Sequence, residues 1–478
     1  MTGRAFGLVI AAGIALTGCD MAPKYIRPAM PVPQALPAQP AETTDAAGGG
    51  QPADLVWRNF FADQRLRAVV ALALDNNRDL RVALANVEQA RALYRVQRAD
   101  LFPTLGVDAS ATYQKTPAGV VNPGGGPDGG GASASGRADI YSASAGVSAW
   151  EIDLFGRIRN LDKAALEQYF ASAENRNAAQ TALIAEVATT WLVLAADQDR
   201  LRIARDTEKA FGQTLDLTRA RFTKGIASEL DVRQAQTSYD QARSDIAETT
   251  TLVAQDRNAL NLLAGTTIAT DLLPERLNGD GVTLAQLPAN LPSSVLLQRP
   301  DIAAAEHRLR AANADIGAAR AAFFPRISLT AAFGTLSSGL SNLFGNGSDF
   351  WSVTPAASLP IFDSGRNRGN LRYAQATRDA MIAQYERTIQ SGFREVADAL
   401  ARRGTITAQL EAQASLRDAA AGAYQLSEAR FRAGIDPFLA TLDSQRTLYG
   451  AERSLLATRL VRETNAVELY RALGGGLR

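Results

Sequence analysis

The chain has 478 residues, with 50 Lys+Arg against 49 Asp+Glu and a formal net charge of +1. Without a clustered basic block it lacks the positive surface that phosphate binding requires, which excludes sequence-neutral nucleic-acid binding. A single Cys and a single His leave no internal disulfide, no thiolate metal cluster and little room for His-based zinc or triad chemistry. Hydrophobic residues reach 46% while aromatics are only 7%, a balance that suits long helices meeting along small-residue seams.

At the N-terminus Arg4 precedes an apolar run, Ala5 to Leu16, too short to span a bilayer as a helix. Leu16-Thr17-Gly18-Cys19 follows and resembles the lipobox of bacterial lipoproteins, in which cleavage precedes the Cys and its thiol carries diacylglycerol. Residues 1–18 therefore read as a signal peptide and Cys19 as a lipidation site. Asp20 bears on the address, because in enteric bacteria an Asp after the lipidated Cys tends to retain a lipoprotein in the inner membrane. Residues 19–62 form the expected lipidated arm, of which 22–53 are rich in Pro, Ala and Gly and unable to fold alone.

A helix is predicted from Asp63 to Leu101, ending at Pro103. Two strands follow, at about 104–113 and 139–152, both with two-residue alternation. Leu105, Val107, Ala109, Ala111 and Tyr113 form one phase of the first; Tyr141, Ala143, Ala145, Val147 and Ala149 form one phase of the second. The glycine-rich stretch between them, Gly119 to Gly136, lacks the Gly-Lys-Ser/Thr ending of a phosphate loop and reads as an exposed loop. A Pro-free helix is expected from Gly156 to about Thr223, ~100 Å at 1.5 Å per residue. A shorter return helix covers Ser228 to Ala264. The first unit thus spans 63–265, and a Pro-containing linker spans 266–299.

The second unit, 300–474, repeats that order and leaves a short tail, 475–478. Its expected elements are a helix over Asp301–Phe324, strands at about 326–335 and 350–361, a long helix from Gly365 to about Arg432, and a return helix over Pro437–Leu473. Arg221-Phe222-Thr223-Lys224-Gly225-Ile226 matches Arg430-Phe431-Arg432-Ala433-Gly434-Ile435 at an offset of 209 residues. The same offset joins Gly156-Arg157 to Gly365-Arg366, Leu260 to Leu469 and Gly265 to Gly474. So long a period marks a duplicated domain. Spacings such as Ile382, Ile389, Phe393, Val396 and Leu400 are coiled-coil-like.

Strands of about ten residues suit a tilted crossing of a bilayer, and their small polar phase suits a watery lumen. Four strands cannot close a barrel, and an open edge cannot persist in hydrocarbon. Two chains would make an eight-stranded barrel filled by its own side chains. Three make twelve strands, wide enough for a bore. The expected fold is mostly α with a membrane β-barrel, built from a duplicated unit of helix, two strands and long helical hairpin.

The chain resembles the TolC-like outer-membrane efflux family, in its NodT/OprM-like lipoprotein branch. Trp57 to Leu66, Arg299 to Ser328 and the two Arg-Phe-x-x-Gly-Ile motifs carry the resemblance, which extends over nearly the whole mature chain. It implies a homotrimer with a twelve-stranded β-barrel and a periplasmic α-helical barrel, an equatorial domain from the mid-chain and terminal segments, and a Gram-negative outer-membrane address. It also implies a periplasmic adaptor and an inner-membrane pump, often of the RND class, for which the channel is a passive duct exporting small molecules such as drugs. Gly225, Ile226, Ala227 and Ser228, with Gly434, Ile435 and Asp436, would form the adaptor-docking tips. The family's gate carries over to Leu439 and Asp443, four residues apart on one helix face, and to Asp231 in the first tip. Ala440 stands where some members have a further acidic residue. Ringed about a threefold axis, Leu439 would block by dewetting and Asp443 would disfavour anions.

No GxSxG, HExxH or nucleophile–base pair is found, so neither catalysis nor a cofactor beyond the lipid on Cys19 is expected. His307 lies among charged neighbours on a helix and reads as a surface or interface residue. A protein-secretion duct and a pore-free periplasmic lipoprotein are the alternatives, the second opposed by the four amphipathic strands.

Overall fold

The computed structural model describes residues 20–37, 56–116, 136–277 and 292–475. The signal peptide, Cys19, the glycine-rich stretch through residue 135, part of the 266–299 linker and the last three residues lie outside them. Among the described residues, the helices are α1 (Trp57–Phe60), α2 (Gln64–Asn76), α3 (Arg78–Ala99), α4 (Arg157–Thr223), α5 (Glu229–Ala264), α6 (Pro300–Ala321), α7 (Arg366–Arg432) and α8 (Phe438–Ala472). The strands are β1 (Leu105–Thr116), β2 (Gly136–Ile152), β3 (Arg326–Ser337) and β4 (Asp349–Ser358). Short 3-10 turns cover Thr270–Leu272, Ser293–Gln298 and Leu340–Asn342.

Both long helices have 67 residues, and each starts at a glycine in the left-handed region, Gly156 (φ +77°) and Gly365 (φ +86°). A carboxylate caps each start. Asp153 accepts from the backbone N–H of Arg157 and Arg159; Asp363 accepts from those of Gly365 and Asn367. Those backbone donors hold the Asp363 carboxyl below its ordinary value.

The expected single helix from Asp63 to Leu101 is instead two. Asn77 adopts φ −57°, ψ 134° and separates α2 from α3. Its side-chain oxygen accepts from Leu80 N–H at 2.8 Å, starting a new helix, and its amide donates to the Leu263 carbonyl at 2.8 Å. A Cβ on Gly265 would lie 2.3 Å from the Asn76 carbonyl oxygen, so this repeated glycine permits the close approach.

The chain divides into two compact units. One comprises the N-terminal segment up to Arg27, Glu88–Phe170 and His307–Ile382. It holds an antiparallel sheet in the order β1-β2-β3-β4. Register places Val107, Ala145, Phe333 and Trp351 side by side on one face, and Gly106, Gly146, Ala332 and Ser352 on the other. One correction concerns β2. A bulge lies between Val147 and Trp150, with Ala149 at φ +48°. The extra residue shifts the phase, so Trp150 and Ile152, rather than Ala149, continue the apolar face. The Ala149 N–H donates instead to the Thr330 hydroxyl at 3.1 Å.

Residues 20–37 of the arm, ahead of α1, form no helix, as composition predicts, but they are docked. Asn313 donates to the Pro23 carbonyl at 2.7 Å, and Arg310 lies 5.2 Å over the Tyr25 ring. Asp20 accepts from Lys163 at 2.6 Å, from Asn160 at 3.0 Å and from Ala22 N–H at 3.0 Å. Burial pushes its carboxyl up, but these donors outweigh that and hold it at about 2. Single His307 meets Glu167 at 2.6 Å, an interface role within this unit.

The second unit comprises Pro28–Val87, Ala171–Glu306 and Ala383–Arg478. Its main core joins Phe60, Phe61, Leu66, Val69 and Val70 to Ile184, Val187, Trp191, Leu192 and Tyr470. Phe60 stacks on Tyr470 with centroids 4.4 Å apart. Arg299 opens the run that carries the family resemblance, and its buried guanidinium ties the unit together. It donates to the Ala472 carbonyl at 2.6 Å, to Glu395 at 3.0 Å and to Asp301 at 2.8 Å.

Candidate functional site at the hairpin tips

Both tips turn identically. Gly225 (φ +71°) and Gly434 (φ +76°) occupy the left-handed region that favours glycine. Ile226 N–H donates to the Arg221 carbonyl and Ile435 N–H to the Arg430 carbonyl, each at 2.9 Å. These bonds satisfy otherwise orphaned helix-end carbonyls. Ile226 and Ile435 are each 63% exposed, an unusual position for isoleucine. Ser228 is exposed, while Ala227 and Asp436 are only half-exposed, less than the sequence reading expects.

A single difference between the copies changes the chemistry. In the second tip Asp436 takes both arms of Arg430, at 2.6 and 2.8 Å. Arg430 in turn holds the Asp436 carboxyl below its ordinary value. The first tip has Ala227 at the equivalent position, so Arg221 is not captured locally. It reaches the other hairpin instead, donating to the Phe431 carbonyl at 3.2 Å and lying 4.6 Å over the Phe431 ring.

Asp231 is committed to its own helix start. It forms a capping box with Ser228, whose N–H donates to the carboxylate at 2.9 Å and whose hydroxyl accepts from Asp231 N–H at 3.2 Å. Leu439 and Asp443 both project from the exposed face of α8, with Leu439 57% exposed. The structure therefore brings Leu439 and Asp443 together and leaves Asp231 on the other hairpin, bonded to Ser228.

Between the hairpins, Phe211, Leu215, Ala235, Ala242, Phe431, Phe438 and Leu442 form a shared core. Polar crossings accompany it. Arg446 donates to the Ser238 hydroxyl at 2.8 Å, and Thr214 to Gln445 at 3.5 Å. Asp245 on α5 accepts from the Tyr449 hydroxyl at 2.6 Å and from Arg453 at 3.3 Å, both on α8. Burial, followed by the bond to Asp245, pushes the Tyr449 phenol above its ordinary value. Sequence reading missed this cluster because the partners lie more than 200 residues apart, with no local motif to link them.

An antiparallel sheet with an apolar face, a face of small and polar residues and two open edges, joined in sequence to paired 67-residue helices, defines a membrane channel protein of the kind that combines strands with helical hairpins. The sequence pattern described as outer membrane efflux protein matches residues 69–266 and 291–475. The chain belongs to that family and is an outer-membrane efflux channel protein. It is 44% identical over 477 residues to the toluene efflux pump outer membrane protein TtgC of Pseudomonas putida, covering 100% of this chain and 96% of that one. It is 43% identical over 477 residues to outer membrane protein OprJ of Pseudomonas aeruginosa, covering 99% and 96%. The open-state MtrE outer membrane channel of Neisseria gonorrhoeae superposes with a TM-score of 0.84 at 36% identity, covering 96% of this chain and 99% of that structure.

Proposed function

We propose that three copies close their sheets into a twelve-stranded barrel and that the trimer is the passive outer-membrane duct of a tripartite efflux assembly. The two open edges of the four-stranded sheet carry this reading, since unpaired backbone cannot remain in hydrocarbon. Its partners are a periplasmic adaptor, met by the exposed tips around Ile226 and Ile435, and an inner-membrane pump of the RND class. Its cargo is small toxic organic molecules, a reading supported by the toluene and solvent named in relatives. Export through such a duct requires no bond chemistry and no cofactor. Cys19 carries the lipid, and the intact mass of the mature protein tests this: an unmodified Cys19 or a retained leader contradicts it.

Leu439 and Asp443 form the constriction, as an apolar ring beside an acidic ring; Asp231 supports the first tip through its cap. In planar bilayers, Asp443→Ala is expected to weaken cation preference and raise resting conductance. Unchanged selectivity and conductance would remove Asp443 from the gate.

A further inference from the structure

We propose that Asp245, Tyr449 and Arg453 form a latch that holds the constriction-bearing helix α8 against the first hairpin, a positioning role separate from the tip residues. The proposal rests on Leu439 and Asp443 being the constriction.

Asp245 is only 8% exposed. Gln241, one turn earlier on α5, donates to one of its oxygens at 2.9 Å. The other oxygen has two donors, Tyr449 at 2.6 Å and Arg453 at 3.3 Å, both from α8. Arg453 also lies 5.4 Å over the Tyr449 ring, so the two α8 side chains support each other. Separating α5 from α8 would strip this carboxylate of two of its three side-chain donors. A buried carboxylate left unpaired is strongly disfavoured, so the contact favours two discrete arrangements over gradual sliding.

Position links the latch to the gate. Tyr449 follows Asp443 by six residues, about 9 Å along the same unbroken helix. A movement of α8 that carries the Leu439 and Asp443 side chains aside must therefore act on Tyr449. In the other crossings between the hairpins described above, at least one partner is neutral. The repeat also sets this one apart. At the offset of 209, Ser454 stands opposite Asp245, while Asp240 and Ser244 stand opposite Tyr449 and Arg453. The cluster is thus not a duplicated helix-surface feature, and its partners join one copy to the other.

The test uses the full-length protein in planar bilayers, with variants Tyr449→Phe, Asp245→Asn, Leu439→Ala and Asp443→Ala. A hydrogen bond to a charged group is worth about a tenfold shift or more in a two-state equilibrium. Tyr449→Phe, which keeps the ring, is expected to shift the channel toward open by that factor and to leave cation preference unchanged. The double variant with Asp245→Asn should open the channel no more than Asp245→Asn alone, because both remove the same bond. Wild-type resting conductance in Tyr449→Phe, with subunit assembly and helix content intact, would overturn the latch. If Leu439→Ala and Asp443→Ala raise conductance while the latch variants do not, only the latch fails. If none of the four changes it, the constriction reading fails as well. Should Asp245→Asn not assemble, Tyr449→Phe carries the test by itself.

Discussion

At the residue scale, Asp197 and Asp256 face each other between α4 and α5, with Arg200 bonded to Asp197 at 3.2 Å. Burial, and then the neighbouring Asp197 carboxylate, push the Asp256 carboxyl up to about 6. Its folded-state value lies above its unfolded one, so the stabilising contribution is present at low pH and is lost as pH rises through about 6. At about pH 8 the pair is strained by like charge. Asp256→Asn should therefore stabilise the fold there by about 1 kcal/mol after solvent screening, seen as a higher midpoint of thermal unfolding. Near about pH 4, where the wild-type carboxyl is protonated, the gain should vanish. Circular-dichroism melts at the two pH values check this, and an equal gain at both would contradict it. The pair was not legible in the sequence. Acidic residues are spread along every long helix, and only packing decides which two meet. Asp231 differs: its bond to Ser228 is local, and the Ser-x-x-Asp spacing at the start of α5 is a capping-box signal that could have found it.

At the element scale, the alternation of β1 and β3 and the Pro-free spans of α4 and α7 were readable because each is a periodic signal over many residues. Breaks in periodicity were not. The β2 bulge and the Asn77 break each hinge on one residue whose partner lies far away in sequence, Thr330 in one case and Leu263 in the other. Sheet register depends on glycines for a similar reason. A Cβ on Gly334 would sit 2.2 Å from the Ala143 carbonyl oxygen, with backbone rather than a movable side chain in the way. Gly334→Val should prevent β2–β3 pairing and abolish assembled protein in the outer membrane. Gly369 of α7, with nothing within 4 Å of its missing Cβ, should accept Ala with normal assembly. Comparable membrane levels of the two variants would show that the sheet tolerates displacement at Gly334.

At the scale of the whole molecule, the duplication was the most legible feature, since one offset of 209 residues carries the tips, the helix starts and the closing glycines through both copies. Sequence resemblance and shared fold then place the chain in the outer membrane efflux protein family. What a single chain leaves open is its sheet, ended by β1 on one side and β4 on the other. An amphipathic sheet with two free edges has few stable states in a membrane, and closure by identical copies satisfies every strand without a further partner. The tips belong to the same account. Exposed Ile226 and Ile435 put a small apolar spot at each tip, which suits the adaptor contact proposed above. Particle imaging of the full-length, detergent-purified protein tests the central claim most directly. The account predicts a threefold assembly whose membrane part is a single closed barrel of twelve strands. A monomer, a dimer or an assembly without a shared barrel would contradict it.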